Sequence, residues 1–449
     1  MTPAISTLNL NTQDDVGFVV EAANTKFFVS IKFINDRGQI KPIDKHQFSK
    51  LTFDSLYTTP FIIGKLQLFD QQQQTKFIFG DYEFVGSGGE FVHIKIEQQV
   101  GPQVNNRYTI LNKTFVVKRY TESKTGKIPM LNFYLADVEY GSLTYTKLPW
   151  STYGEEMLVS DAIKNLLNTF CGKSNEIINE NRWNNSYTKI DYTLHSNETP
   201  LNALYELMIK YVSAEHKDMG LLLRQGGKFN LLSLTNIFKK ENNPIASIEI
   251  SSNDTRTNYS KNPASNYYRN RYQLIPVNIA DVLIQPKLPD TNVDLVVNHS
   301  IAAYSTKGKS FNIYNQHGTT ENLKNTFDNI ISNLPNGETK ETDILHNNIT
   351  KANKKERFVY ENTNRSEYIG KTVLQSKFLN SADRISFNIP GNFLPSACKF
   401  IGIELTGVSV NPTTDNLPGH WFVLQNTTTL AEGYFNTFLV SSKFDKNKV

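Results

Sequence analysis

The side chains that could do chemistry in this chain are two carboxylate pairs, eight histidines and two cysteines. Asp81 and Glu83 would share one face of a strand, as the acid and base of a glycoside hydrolase could. Charged residues on a strand also protect an exposed sheet edge, and we favour that interpretation. Glu155 and Glu156 are adjacent, so their side chains would point apart on a strand or a helix. We therefore interpret this second pair as a solvated turn and not as an acid–base couple.

The histidines and cysteines lack metal-binding and nucleophile spacing. His93 falls on the polar face of a strand, and His195 and His216 flank a helix. The sequence contains no His-x-x-x-His, Cys-x-x-Cys, His-Glu-x-x-His or Gly-x-Ser-x-Gly motif. Cys171 and Cys398 are far apart in the sequence, and we do not expect a disulfide between them. The sequence thus predicts no catalytic residue, no metal and no cofactor, and a protein that is not an enzyme.

Two aromatic features leave alternatives open. Trp150, Trp183 and Trp421 could form a platform for a sugar, but packing in a core or an interface is the favoured interpretation. The stretch 267–272 contains three tyrosines and two arginines. It could stack on nucleic acid or form an oligomer contact. The glycine-rich stretch 86–89 is not followed by a helix, so it predicts a hairpin turn and not a phosphate-binding loop.

The composition narrows the classes of protein to which this chain could belong. The chain has 449 residues, of which 39% are hydrophobic, 12% aromatic and 20% charged, with a formal net charge of +4. That mixture favours sheets with aromatic cross-strand pairs and gives no strong field for nucleic acid or an anionic membrane. The N-terminus lacks a basic region and an apolar core, and no apolar run approaches membrane-spanning length. We therefore expect a soluble chain that is not exported by the usual route.

Periodicity indicates the elements that would carry these residues. Period-two alternation predicts strands over 15–140, arranged as an antiparallel barrel or sandwich. Between 150 and 240, Ser160 as N-cap and Gly172 after the last turn delimit one helix, and Thr199-Pro200 begins a second. The stretch 219–232 predicts a strand, a Gly-Gly turn and another strand. Further helices are predicted at 320–334 and 366–379, and strands return after 381.

Several motifs, taken in their order and spacing, resemble the central hub proteins of phage tail baseplates. That fold is shared with the N-terminal half of type VI secretion spike proteins. The motifs include an early strand centred on Gly64 and ending in Asp70, and a late strand ending in Pro390-Gly391-Asn392. The matching stretches are 63–70, 112–117, 132–136, 199–204, 385–392 and 421–424.

One turn departs from the family pattern. After Leu394-Pro395 the family usually has Gly-Asp, whereas this chain has Ser396-Ala397. The resemblance therefore does not extend to the details of that turn.

The resemblance implies an α+β, mainly β fold, with two antiparallel β-barrel tube domains and an inserted mixed α/β helical subdomain. The first barrel would occupy 1–145 and the helical subdomain 146–240. An irregular and helical insertion at 241–380 would lend strands to the second barrel, and 381–449 would supply the remainder. Phe387 and Val423 should point into the second core.

The resemblance also implies two separate barrels of the same topology, related by about a sixth of a turn around a ring axis. Pairing of 381–449 with strands of the first barrel would contradict that arrangement.

For function, the resemblance implies a homotrimeric ring in the virion baseplate, made in the host cytoplasm. The ring would adapt a hexameric tail tube above to a trimeric central spike below, among other baseplate proteins. DNA would pass through its lumen without sequence-specific binding, and the chain would not insert stably in a membrane. The alternative is a receptor- or glycan-binding tail component. A tail-associated hydrolase would need a paired-carboxylate or metal site, which the motifs do not provide.

Overall fold

The structure, a computed structural model, describes seventeen stretches of the chain. They are 17–22, 25–35, 38–69, 90–99, 107–125, 128–145, 151–172, 174–187, 189–194, 199–216, 218–225, 227–240, 243–252, 274–285, 383–391, 397–408 and 417–443. The predicted helices at 320–334 and 366–379 and the turn at 86–89 lie outside these stretches.

The described chain is dominated by strands, as the alternation predicted. The strands are β1 Phe18–Ala22, β2 Thr25–Ile34, β3 Ile40–Pro42, β4 Phe48–Leu56, β5 Ile63–Phe69, β6 Phe91–Gln99, β7 Arg107–Thr125, β8 Ile128–Asp137, β9 Ser151–Leu158, β10 Ile178–Trp183, β11 Lys189–Leu194, β12 Gly220–Gln225, β13 Lys228–Ser233, β14 Ala246–Ser251, β15 Leu274–Asn278, β16 Leu283–Gln285, β17 Arg384–Pro390, β18 Phe400–Thr406, β19 Gly419–Ala431 and β20 Tyr434–Lys443.

Helices are fewer and shorter among the described residues. They are α1 Val138–Tyr145, α2 Val159–Phe170, α3 Ser174–Ile177, α4 Pro200–Lys210 and α5 Leu234–Lys240, with a short 3-10 helix at Ile279–Asp281. None of these helices is both long enough and apolar enough to cross a membrane.

The chain divides into two compact units. Unit one comprises 1–145, 243–284 and 385–441, and unit two comprises 146–242, 285–384 and 442–449. The strands of unit one belong to one 15-stranded sheet, in which β1, β2, β6, β7, β8, β5, β4 and β19 are successive neighbours.

The first half of this sheet is antiparallel and curls around a core of aromatic and branched side chains. Because side chains alternate across a strand, every second residue of β2, β6 and β8 is buried. Phe33 and Phe133 meet edge to face at 4.9 Å, and Phe53 stacks on Phe115 at 5.2 Å. Such aromatic pairs add about 0.5–1.5 kcal/mol each to the free energy of area burial.

The second half of the sheet surrounds a core of its own. Its strands follow the order β15, β14, β18, β19, β20, β17 and β16, and β14 runs parallel to both β15 and β18. The fully antiparallel arrangement expected for this half is therefore wrong. As predicted, strands from 241–320 are lent to it, and both Phe387 and Val423 are buried in its core.

One long strand joins the two halves. Residues 400–403 of β18 pair with 419–422 of β19, and residues 425–431 of β19 then pair with 50–56 of β4. The expectation of two separate barrels is therefore wrong, because β19 is long enough to serve both halves in turn. The amide of Gly433 donates to the Glu21 carbonyl at 2.7 Å, which brings the β19–β20 turn to the β1 edge. No barrel closed by a continuous strand ladder forms among the described residues of this unit.

The described residues of unit two between 151 and 240 form a mixed arrangement of strands and helices. Strands β10, β13 and β12 form a three-stranded sheet, β9 pairs with β11, and α2 packs against α4. Helix α4 begins after Thr199 with Pro200 in its first turn, as predicted. The Thr199 hydroxyl also caps this helix by accepting the Asn202 amide at 3.3 Å. The hairpin β12–β13 turns at Gly227, whose φ of +79° suits glycine.

The predicted start of α2 is wrong by two residues. The helix begins at Val159 with Leu158 at the cap position, and no side chain caps it. Ser160 lies instead inside the first turn, where its hydroxyl accepts the Ser186 amide at 3.1 Å. The Ser186 hydroxyl in turn accepts the Ser160 amide at 3.1 Å. Sequence reasoning missed this exchange because Ser186 is 26 residues away.

Candidate functional site

Many of the candidate residues lie outside the described stretches. These are Asp81, Glu83, Trp150, His195 and the aromatic stretch 267–272. Glu155 and Glu156 lie within β9, so the turn expected there is wrong. The glycoside-hydrolase arrangement thus has no described pair of side chains to support it.

Among the remaining candidates, Trp421 and His93 are packing residues, and Trp183 is partly buried at the end of β10. The Trp421 indole is buried and its Nε1–H donates to the Leu417 carbonyl at 2.7 Å, so its ring cannot serve a sugar. His93 is buried on the outer face of β6, with Nδ1 3.0 Å from the Thr114 hydroxyl. Each of these two side chains therefore contacts a neighbouring strand or loop of the sheet.

The densest polar cluster is in unit two, and we call it the asparagine network. It comprises Asn184, Glu215, His216, Asp218 and Asn236. The Asn184 Oδ1 accepts the Ser233 amide at 2.9 Å and the Asn236 Nδ2 at 3.2 Å. Asn236 Nδ2 also donates to the Glu215 carboxylate at 3.1 Å. The network therefore ties the β10 end to the start of α5 and to the loop after α4.

The geometry assigns the protons of this network. His216 Nε2 lies 3.1 Å from Asn236 Oδ1 and 3.3 Å from Glu215 Oε1. Both partners are acceptors, so this nitrogen carries the hydrogen and donates. A ring nitrogen in that state cannot act as a general base towards the same partners. The His–Glu contact is thus a brace and not an activated catalytic pair.

Asp218 is the most deeply buried acid of the network. Its Oδ2 accepts the Thr235 amide at 2.7 Å, and its backbone carbonyl accepts the Ser213 amide at 2.8 Å. Burial raises the pKa of Asp218, opposed by the Thr235 hydrogen bonds and the nearby His216. Burial, followed by the Asp218 charge, also raises the pKa of Tyr211, whose hydroxyl donates to the Asn184 carbonyl at 3.1 Å.

A second charged feature lies at one end of the first core in unit one. Asp137 is wholly buried, and the Lys113 ammonium is 2.6 Å from its Oδ1. The Ile62 amide donates to the other carboxylate oxygen at 3.1 Å. Sequence reasoning missed this pair, although both residues continue the inward-facing alternation of their strands and carry opposite charges, which was the available signal.

Metal and thiol chemistry find no support among the described residues. There, no three His, Cys, Asp or Glu side chains approach closely enough to hold a metal ion. Cys171 and Cys398 are not joined in a disulfide. Burial raises the pKa of the Cys398 thiol to about 12, which leaves it protonated at neutral pH and a poor nucleophile.

Comparisons with family models and with curated proteins find no match. Solved structures do match. A tail protein from Neisseria meningitidis aligns over 93% of this chain and 96% of its own, with 13% identity and a TM-score of 0.47. The 43 kDa tail protein of prophage MuSo2 from Shewanella oneidensis aligns over 94% and 99%, with 9% identity and a TM-score of 0.47.

A third match is the E. coli c3393 protein, described as a component of the type VI secretion system. It aligns over 89% of this chain and 74% of its own, with 7% identity and a TM-score of 0.43. The chain is therefore similar to phage tail proteins and to a type VI secretion component, the two groups that its sequence motifs resemble.

Proposed function

We propose that the chain is a structural component of a phage tail, and specifically its baseplate hub. In this proposal three copies form a ring in the virion. One face of the ring receives the hexameric tail tube, the other holds the trimeric central spike, and other baseplate proteins surround it. DNA passes through the lumen without sequence-specific contacts.

The observation that carries the proposal is the pair of cores in unit one. Two curled halves of one sheet each bury a core, and β19 contributes Trp421 and Val423 to one core and Leu430 to the other. A threefold ring needs two comparable modules per copy if it is to mate with a sixfold tube. Two cores on one sheet meet that need while keeping the modules at a fixed spacing.

The domain division follows from this proposal. Residues 1–145 supply the first tube module, 146–240 the helical subdomain, and 241–380 an insertion that lends β14, β15 and β16. Residues 381–449 complete the second module. In this arrangement the asparagine network keeps the helical subdomain rigid.

The oligomeric mass tests the hub proposal most directly. Light scattering across a concentration series should give a trimer, alone or after mixing with the tube or spike protein of the same tail. Electron microscopy of the trimer should then show a ring with a lumen. A chain that stays monomeric at every concentration, and that is absent from rings in isolated tails, would contradict the proposal.

We also propose that the chain has no hydrolase activity. The expectation rests on the sequence motifs and on the bracing roles of His93 and His216. Zymography on peptidoglycan and polysaccharide should show no clearing. Clearing by the wild type that is lost in Asp81→Ala and Glu83→Ala would instead assign a catalytic role to that carboxylate pair.

A further inference from the structure

A row of polar and cationic side chains crosses the outer face of the first half-sheet. Strand register places Thr429 beside Thr52, Thr52 beside Lys65, Lys65 beside Tyr134, and Tyr134 beside Arg119. These five residues, here called the cationic row, alternate with inward-facing core residues on each strand. The row therefore runs straight across β19, β4, β5, β8 and β7.

The two cations of the row, Lys65 and Arg119, both contact the aromatic ring of Tyr134. Lys65 Nζ lies 5.6 Å from the Tyr134 ring centroid and Arg119 Cζ lies 4.4 Å from it. Lys65 lies on β5 and Arg119 on β7, the strands on either side of β8. These two strands are two strand spacings, or about 10 Å, apart. Cation–π contact limits the rotamers of both side chains, so less freedom is lost when an anion binds.

The neighbouring row on this surface is also polar. Lys50 pairs in register with Gln67, whose Nε2 donates to Asn132 Oδ1 at 2.6 Å. Asn132 Nδ2 donates in turn to the Ser123 hydroxyl at 2.8 Å. The side-chain amides of Gln67 and Asn132 are thus hydrogen-bonded within this row. The groups on this face that can bind an anion are therefore the cations.

The charges of the cationic row are not neutralised by the described part of the protein. There, Lys65 and Arg119 of the row form no ion pair with a carboxylate, and neither does Lys50 of the neighbouring row. On β4, Asp54 lies one row further and accepts the Thr427 hydroxyl at 2.5 Å. By contrast, Lys95 and Arg107 on the same sheet share Glu97 at 3.1 and 3.7 Å. The row is thus a local excess of positive charge, whereas Lys95 and Arg107 elsewhere on the sheet are paired with a carboxylate.

We propose that the cationic row docks an acidic polypeptide segment of a partner protein, with carboxylates bound by Lys65 and Arg119. A guanidinium presents a fork that matches a carboxylate in a bidentate pair. Nucleic acid is the less suitable occupant, because Lys65 and Arg119 already contact the Tyr134 ring, the one aromatic ring of the row on which a base could stack. This inference is independent of the ring proposed above, since it concerns one surface of a single copy.

The test uses the full chain and a short fluorescein-labelled oligo-glutamate peptide, with fluorescence anisotropy at low ionic strength. Exposed ion pairs contribute little each, so the test reverses both charges at once. Lys65→Glu/Arg119→Glu replaces two attractions with two repulsions and should weaken peptide binding about tenfold. A control double variant, Lys26→Glu/Lys41→Glu, makes the same change of net charge on β2 and β3 and should change binding less than about threefold.

The Arg119→Lys variant and an oligothymidine probe provide two further tests. Arg119→Lys keeps the charge but removes the fork, so it should weaken peptide binding measurably while leaving thermal unfolding unchanged. Equal losses in the row variant and the control variant would show that net charge alone governs binding and would overturn the proposal. Tighter binding of an oligothymidine probe of equal charge, with the same sensitivity to the row variant, would overturn it in favour of nucleic acid.

Discussion

Lys113 and Asp137 form an ion pair of 2.6 Å at the end of the first core, with the carboxylate fully buried. The two residues lie on adjacent strands, β7 and β8, and both face inward. Because the Ile62 amide holds the second carboxylate oxygen, the pair also fixes the start of β5 against the end of β8. An ion pair thus lies at one end of a core that otherwise consists of aromatic and aliphatic side chains.

Replacing one partner of this pair should be costly. Lys113→Met leaves the Asp137 charge buried without its ammonium partner, which should lower the free energy of unfolding by about 3 kcal/mol in urea titrations. Lys118→Met is a matched control, since the Lys118 ammonium is partly exposed and contacts the Tyr140 hydroxyl. It should cost less than about 1 kcal/mol. The double variant Lys113→Met/Asp137→Asn should be more stable than Lys113→Met alone, and equal losses for Lys113→Met and Lys118→Met would refute this account.

The second core should depend strongly on Phe387, which is almost fully buried. Phe387→Ala should lower the free energy of unfolding by roughly 3–5 kcal/mol through lost burial and an unfilled cavity. Phe387→Leu keeps most of the volume and should cost less than half as much. Chemical denaturation followed by tryptophan fluorescence is a suitable measurement, because Trp421 lies in the same core. A loss below about 1 kcal/mol for Phe387→Ala would mean that the ring is not packed as described.

The junction between the two half-sheets should be sensitive to Thr427. Its hydroxyl donates to the Asp54 carboxylate at 2.5 Å across the β4–β19 pairing. Thr427→Val keeps the β-branched shape and removes this bond, which should cost about 1 kcal/mol at a partly exposed site. Thr429→Val removes a neutral contact to Thr52 at 3.3 Å and should cost less. Thermal unfolding of both variants decides the order, and a larger loss for Thr429→Val would contradict the prediction.

Stability should fall with rising pH in a way that depends on Asp218. Burial raises the pKa of this carboxyl in the folded state above its unfolded value of about 3.9. Between those two values the folded state binds more protons, so the free energy of unfolding decreases as pH rises, by at most about 1.4 kcal/mol per pH unit. Asp218→Asn keeps an oxygen for the Thr235 amide and should remove this part of the slope. Urea titrations from pH 4 upward that give the same slope for both proteins would contradict the assignment.

The two thiols should react at very different rates. Cys171 is partly exposed at the end of α2, whereas Cys398 is buried and burial raises its pKa to about 12. Under native conditions a thiol reagent should modify one cysteine quickly, and Cys171→Ser should abolish that fast reaction. Cys398 should react only after denaturation. Fast modification of Cys171→Ser would show that the turn at Ala397–Cys398 opens readily.

The local elements were largely predictable from the sequence. The strand alternation through Ile94, Phe133 and Leu135, the cap at Thr199 and the glycine turn at Gly227 follow from side-chain period and from short-range hydrogen bonds. These features depend on residues close together in the chain, so one sequence is enough to find them. The burial of Phe387 and Val423 was predictable for the same reason.

Only the tertiary structure decided which strands meet and which polar groups are paired. Alternation in β19 identifies its inward residues, but it does not say that one stretch pairs with β18 and the next with β4. The Ser160–Ser186 exchange, the asparagine network and the cationic row likewise join residues that are distant in sequence. Hydrogen bonding between backbones is nearly independent of side-chain identity, so register and partner choice follow from the packing of the whole sheet.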